Sequence, residues 1–440
     1  MIVRRIYANL GLLIGGKAGA GLISLAYLLI AARALGPRDY GVLVLMHGYV
    51  TAVAGIIEFP GWHAIVRYGA QAIEDRDEGR LVRLLRFAGG IEILGGCASI
   101  LSAAALAPLI GPHLGWPPEA QAFAVPYAFA VLGTIRATPA GYLQLRGRFD
   151  LLGAHNMVAP LVRLAGAVAA AFAGAGLRGF LLAWLVAALA EWSVMWALGI
   201  RAARRDILAH RLLGPTRGCR SENPGLLRFM LAANADVTFS ELSGRVVPLV
   251  VGWVLGPASA GLYAIAQRAT VIFQQPAQIL GQAAYREFTA MLASGGEGRV
   301  LLRAVAHSAG LAMIAGVPVV VIALFAGGPV ARLLGGPSYA AAGGLIGILS
   351  VARFILLAAP PASAALTALG HPGWSVAANV GSSLLLLAPL PILLHADGVA
   401  GAGLQAVAQA AATTLFLWLL LHRALVRWDA LSLTMREAGA

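Results

Sequence analysis

The chain is a succession of long apolar stretches separated by short polar ones. Twelve stretches stand out, roughly 9–31, 41–65, 87–110, 122–145, 151–173, 177–199, 226–254, 259–283, 304–326, 340–366, 374–395 and 399–421. A helix needs about 20 apolar residues to cross the hydrocarbon core of a bilayer, and each stretch meets that length. Many of the connections carry the helix-stopping residues Pro and Gly, as in Gly111-Pro112, Pro117-Pro118 and Gly335-Gly336-Pro337. The pattern predicts an all-α polytopic membrane protein with about twelve transmembrane helices.

A repeat organises these helices. Leu35-Gly36-Pro37-Arg38-Asp39-Tyr40-Gly41 returns as Leu255-Gly256-Pro257-Ala258-Ser259-Ala260-Gly261, 220 residues later in a chain of 440. Leu143 with Leu366, Gly147 with Gly370 and Asn156 with Asn379 recur at an offset of 223. Fixed offsets of this kind mark an internal duplication. The duplication predicts two six-helix lobes, 1–200 and 226–425, joined by a basic linker at 201–225 and followed by a tail at 426–440. Six is even, so both lobes enter the membrane in the same sense, related by an axis along its normal.

The polar positions left inside the apolar stretches are few and therefore informative. Lys17, Arg136, Arg163, Arg245, Arg268 and Arg353 are basic, and Glu58, Glu92, Glu191, Asp236 and Glu241 are acidic. A charge at the bilayer centre costs roughly 3 kcal/mol on insertion scales, so such groups should face protein or water. Together they predict a polar cleft. Glu241 and Arg245 are spaced to pair along one helix. Glu58 and Glu92 lie toward the cytoplasmic ends of their spans, where pairing with loop arginines is expected. Lys17 sits among small residues, Gly15-Gly16-Lys17-Ala18-Gly19, which permit close helix approach. On the eighth stretch, Gln267, Arg268, Gln274, Gln275, Gln278 and Gln282 fall within an arc of roughly 120° on a continuous helix. Amides both donate and accept, which suits sugar hydroxyls or water, and Pro276 is expected to kink the stripe.

Composition agrees with the membrane reading: 59% hydrophobic and 12% charged, with mean hydropathy +0.80. The excess of basic residues need not mean nucleic acid. With the N-terminus cytoplasmic, 22 Lys and Arg fall in inside loops and only four (Arg33, Arg38, Arg178 and Arg332) outside. That bias predicts both termini in the cytoplasm. The linker then reads as a solvated topology determinant beside anionic lipid. Lys17 follows a partial phosphate-binding loop, but Ala18 stands where Ser or Thr is needed and no strand precedes it. The loop Asp75-Arg76-Asp77-Glu78-Gly79-Arg80 is spaced wrongly for the major-facilitator signature and reads as a soluble acidic loop. Cys97 and Cys219 suggest neither a disulfide framework nor a metal site, and no catalytic constellation is found.

Three segments carry a resemblance. Ala32 to Gly41, Leu145-Arg146-Gly147-Arg148-Phe149-Asp150, and Leu255-Gly256-Pro257 through Gly261-Leu262-Tyr263-Ala264-Ile265-Ala266-Gln267-Arg268 resemble polysaccharide-biosynthesis membrane proteins. These are the Wzx-type oligosaccharide flippases of the multidrug/oligosaccharidyl-lipid/polysaccharide exporter superfamily. The likeness runs from residue 1 to about 425. It implies a V of two lobes around a central cavity that opens alternately to each side. It also implies a non-enzymatic role: moving undecaprenyl-pyrophosphate-linked oligosaccharide across the bacterial inner membrane. Twelve spans rather than fourteen argue against the lipid II branch. Lys17, Arg245 and Arg268 match in kind the basic residues that contact pyrophosphate. Arg163, Arg353 and the glutamines Gln267, Gln274, Gln275, Gln278 and Gln282 complete the expected substrate set. Glu58, Asp236 and Glu241 are candidates for proton or sodium coupling, and no cofactor or metal is expected. The expected partners are the polyprenyl-pyrophosphate substrate, membrane lipids and polysaccharide polymerase and export machinery. The alternatives are a drug or cation exporter of the same superfamily, or a membrane glycosyltransferase, ligase or polymerase. Basic residues leading in the cleft disfavour the first, and short outer loops disfavour the second.

Overall fold

Gly-Pro pairs divide the apolar stretches where the pattern placed breaks. A computed structural model describes the backbone of residues 2–58, 61–206, 214–293 and 298–438. The side chains of 2–15, 18, 206, 232–243, 272–279, 282–283, 293 and 429–438 lie outside the described residues. The first half carries α1 (Ile2–Ile57), α2 (Trp62–Glu74), α3 (Glu78–His113), α4 (Pro118–Tyr127), α5 (Ala137–Leu145), α6 (Phe149–His155), α7 (Val158–Phe172) and α8 (Gly176–Asp206). The short α9 (Cys219–Glu222) precedes α10 (Leu226–Leu255), α11 (Pro257–Ala269), α12 (Gln274–Ala293) and α13 (Gly298–Gly335). Then come α14 (Gly343–Leu356), α15 (Ala359–Ala368), α16 (Pro372–Leu387), α17 (Leu390–Asp397) and α18 (Val399–Ala438), and no strand occurs among the described residues.

Every predicted span has a helical counterpart. Among the described residues seven helical segments are long and apolar enough to cross a membrane, and α16 with α17 forms a further one bent by 50°. The first of the seven holds two predicted spans, because α1 continues through a break at Gly36 (φ 71°, ψ 175°). Two predicted spans are not continuous helices. The stretch 122–145 is α4, a 3-10 segment over Ala128–Thr134 and α5. The stretch 259–283 is α11, a 3-10 segment over Thr270–Phe273 and α12. The interruption therefore precedes Pro276, which falls in the first turn of α12, where a missing N–H costs no helical bond. A 3-10 turn advances by about 120° per residue rather than 100°, so the single arc computed for the glutamine stripe does not carry across the break.

The duplication is visible in backbone geometry. Gly256 (φ 85°, ψ 172°) repeats the conformation of Gly36, and only glycine enters that region without strain. Gly147 (φ 68°) and Gly370 (φ 83°) close their helices with the same pair of hydrogen bonds. Arg148 N–H donates to the Leu143 carbonyl at 2.8 Å, and His371 N–H to that of Leu366 at 2.9 Å. Two tryptophans repeat as well: Trp196 Nε1 donates to the Ile135 carbonyl at 2.8 Å, and Trp418 Nε1 to that of Ala358 at 3.1 Å.

The chain packs as two compact units, Met1–Leu249 and Val250–Ala440. The division falls inside α10, beside Pro248. The part of α10 up to Leu249 belongs to the first unit and meets α1 near its end. Gly48 lies against Leu249, and Arg245 Nη1 donates to the Thr51 carbonyl at 2.8 Å, over Gly55, where a Cβ would stand 2.9 Å from the guanidinium.

The linker is anchored as well as solvated. Residues 214–226 meet α2 and α3 through the buried Cys219, Asn223 and Leu226, while Arg217 and Arg220 stay exposed. Arg80 Nε donates to the buried Asn223 Oδ1 at 3.0 Å, Arg83 pairs with Glu222 at 2.7 Å, and Arg86 donates to the Pro215 carbonyl at 3.1 Å. Tyr68 donates to the Pro224 carbonyl at 3.2 Å, and Cys219 and Leu226 join Ala64, Tyr68, Leu84 and Met230 in a small apolar cluster. The acidic loop before α3 has a local role: Asp77 accepts the Arg80 backbone N–H at 2.8 Å as helix cap, and Asp75 pairs with Arg80 at 2.8 Å.

Candidate functional site in the first unit

Broken spans leave backbone groups inside the membrane that need partners. In the first unit the break before α5 exposes the Ala137 and Thr138 N–H groups, and Glu92 on α3, 2% exposed, accepts from both, from Thr138 at 2.7 Å. A carboxylate at a helix N-terminus is stabilised by the orphan donors and the dipole together. This replaces the expected pairing of Glu92 with a loop arginine. In the second unit the offset of 223 puts Pro360 and Pro361 where the first has Ala137 and Thr138. Proline has no N–H, so the equivalent helix start, α15, has no donors at these positions for a carboxylate to cap.

Beside this break lies a cavity of about 380 Å³, lined by Lys17, Trp62, Thr134, Arg136, Gln144, His155 and Asn156, with apolar walls from Phe149, Leu152 and Met195. Its construction follows from small residues. Gly16 meets Gly153 of α6 backbone to backbone, and a Cβ on Gly16 would stand 2.4 Å from the Gly153 oxygen. That contact brings Lys17 to the α6 residues of the cavity wall. Lys17 is exposed and has no ion-pair partner among the described residues. Arg136, by contrast, is ion-paired with Glu191. His155 Nε2 lies 2.9 Å from the Glu191 carbonyl, which can only accept, so Nε2 carries the proton. Thr134 donates to Glu58, a carboxylate also acted on by the charges of Glu92, Arg245 and Arg136.

The other expected site residues are spread over distinct places. Arg163 belongs to a separate buried network: Nη1 donates to Tyr27 Oη at 3.3 Å, Nη2 lies 3.2 Å from His47 Nε2, and His47 Nδ1 lies 3.1 Å from Tyr127 Oη. Its guanidinium also lies 5.7 Å from the Trp184 ring centroid. In the second unit, Gln267 and Arg268 end α11, and the Arg268 Nε is buried with no hydrogen-bond partner among the described residues. Arg353 ends α14, near Tyr263. The side chains of Gln274, Gln275, Gln278, Gln282, Asp236 and Glu241 lie outside the described residues. Trp62, Gln144, His155 and Asn156 were absent from the expected site. Asn156 and Gly147 had signalled the place, since both recur at the repeat offset, but as landmarks rather than ligands.

Solved structures share this bundle of helices with broken spans. A multidrug-resistance MATE family transporter of the MOP superfamily in its inward-facing conformation matches with TM-score 0.74 at 16% identity, over 94% of this chain and 96% of that one. The lipid II flippase MurJ, inward closed, matches with TM-score 0.72 at 12% identity, over 96% and 91%. At these identities the likeness is one of fold. Residues 30–342 match the family described as "Polysaccharide biosynthesis protein", and the chain belongs to that family. The inner membrane protein YghQ of Escherichia coli (strain K12) is 28% identical over 284 residues, 64% of this chain and 80% of its own length.

Proposed function

We propose that the protein is a flippase that moves a polyprenyl-pyrophosphate-linked oligosaccharide across the bacterial inner membrane by alternating access, for cell-surface polysaccharide synthesis. The observation that carries this reading is a charge imbalance in the second unit. Arg268 and Arg353 lie in its helical spans, while the unit's carboxylates are Glu287 in the second half of α12, Glu297 after it, Asp397 at the end of α17, and Asp429 and Glu437 in the C-terminal part of α18. Neither arginine has an ion-pair partner among the described residues, and an anionic headgroup supplies one in this reading. Near a protein surface, opposite charges about 4 Å apart attract by about 4 kcal/mol, which offsets much of the desolvation of a pyrophosphate. A cation substrate would meet the opposite field, which disfavours the drug-exporter reading.

An inside-negative potential favours outward movement of an anion by about 2.3 kcal/mol per charge per 100 mV, so ion coupling is not required by the chemistry. Glu58, beside the cavity, is the described candidate if coupling operates. Headgroup translocation in proteoliposomes tests the proposal, with undecaprenyl-pyrophosphate oligosaccharide set against a cationic dye. Lipid flipping that falls at least roughly tenfold in Arg268→Ala and Arg353→Ala is expected, the loss of one such ion contact each. Dye transport without lipid flipping refutes the proposal. Full flipping in the double variant removes its electrostatic basis.

A further inference from the structure

The cavity of the first unit differs from the arginines of the second in what it offers. It combines an ammonium, Lys17, with two planar amides, Gln144 and Asn156, a histidine whose proton is fixed on Nε2, and an indole, Trp62, held by stacking on His63 with ring centroids 3.5 Å apart. Arg136 lines the same space but its charge is met by Glu191. Lys17 is thus the one lining cation without a carboxylate among the described residues, and the cavity as a whole calls for about one negative charge. The amides and the imidazole line one space and suit a ligand that both donates and accepts hydrogen bonds. The indole offers an apolar face wide enough for the C–H side of a ring. A volume of about 380 Å³ is within the range of small-molecule sites.

We infer that this cavity is a subsite for one acidic saccharide residue, a sugar ring that carries a single carboxylate. The carboxylate sits on Lys17, the ring hydroxyls on Gln144, Asn156 and His155, and the ring face on Trp62. The assignment rests on the flippase reading. A free phosphosugar shares the anionic chemistry but presents a dianion, which this cavity balances only in part.

Saturation-transfer NMR on the full-length protein in nanodiscs tests it, with glucuronic acid, glucose and glucose 1-phosphate as probes. Glucuronic acid should receive saturation most strongly. Lys17→Gln should weaken it roughly tenfold, as expected for one lost charge-assisted hydrogen bond, while leaving glucose unchanged. Lys17→Arg should retain it, and Trp62→Leu should weaken both neutral and acidic sugars. Arg136 is left intact because its removal would strand Glu191. Equal saturation of glucose and glucuronic acid, preference for glucose 1-phosphate, or indifference to Lys17→Gln and Trp62→Leu each overturns the assignment. The two readings fail separately. Flipping of a neutral-sugar lipid with no glucuronic acid binding sinks the subsite and spares the flippase. Glucuronic acid binding that Lys17→Gln weakens, with no flipping of any lipid, does the reverse.

Discussion

Glu92→Gln isolates the way the first unit tolerates a broken span. Glu92 presents two oxygens to two N–H groups, those of Ala137 and Thr138. Glutamine keeps the shape but turns one acceptor into an NH₂ that faces an N–H. One buried donor then loses its partner, at about 1–3 kcal/mol. For a domain of about 250 residues, 1 kcal/mol moves the midpoint by about 2–4 °C, so the expected fall is about 2–12 °C. Tryptophan fluorescence during heating in detergent reads it, since Trp196 is bonded to Ile135 at the same break. The second unit supplies the control. Pro361→Ala restores an N–H where the span holds no carboxylate. If the prolines act by omitting a donor, the loss is again about 1–3 kcal/mol. If they merely stiffen the unfolded chain, it is about 0.4–1 kcal/mol. A Glu92→Gln protein that melts with the wild type would refute the capping argument, as would a Pro361→Ala protein that loses less than 1 kcal/mol.

Three further outcomes follow from geometry already given. Glu191→Gln leaves Arg136 without its ion-pair partner; with side chains 38% and 17% exposed, the pair lies between surface and buried cases, and a loss of about 1–3 kcal/mol is expected in thermal melts. Gly16→Val drives a Cβ into the Gly153 carbonyl, so folded yield on size exclusion should collapse, whereas Gly21→Ala, with open space at its Cβ, should behave as wild type. Cys219 is buried, and burial pushes its thiol up, so less thiolate is present at neutral pH and maleimide labelling should be slow. Arg80→Ala with Arg83→Ala should speed that labelling at least tenfold by releasing the docked linker; an unchanged rate counts against the clamp.

How much was legible in the sequence depended on the range of the interaction. Span lengths and positions follow from local hydrophobicity, and the Leu-Gly-Pro pair located two helix breaks because positive φ leaves a residue signature. The helix α2 is not among the expected elements, although Ala64, Ile65, Tyr68, Gly69 and Ala72 recur at helical spacing, because the second apolar stretch ends within it. The breaks within 122–145 and 259–283 left no such mark: their residues are as apolar as the helices around them. Roles of individual charges were least legible. Arg80, Arg83 and Arg86, expected in a loop, lie in the first turns of α3, and the Asn223, Glu222 and Pro215 groups that meet them come from more than 120 positions away. Glu92 has its partners 45 and 46 residues on, across a backbone break that sequence does not announce. Lys17 stands out in the sequence as a charge within an apolar stretch, and only the fold shows which residues line the space beside it.

The docking of linker and α10 on the first unit separates two seams that a duplicated gene would be expected to share. The seam of the repeat expected from the sequence lies in the linker, before α10; the seam of the folded bodies lies within α10, beside Pro248. On that expectation, a helix of the second copy has become structural material of the first. A gene cut at the repeat seam therefore yields a first fragment with an uncovered face along Gly48, Thr51 and Gly55 and a second that starts with a helix it does not hold. Split-protein complementation should succeed only when the cut comes after Leu255, at the Gly256-Pro257 turn, where the backbone already breaks.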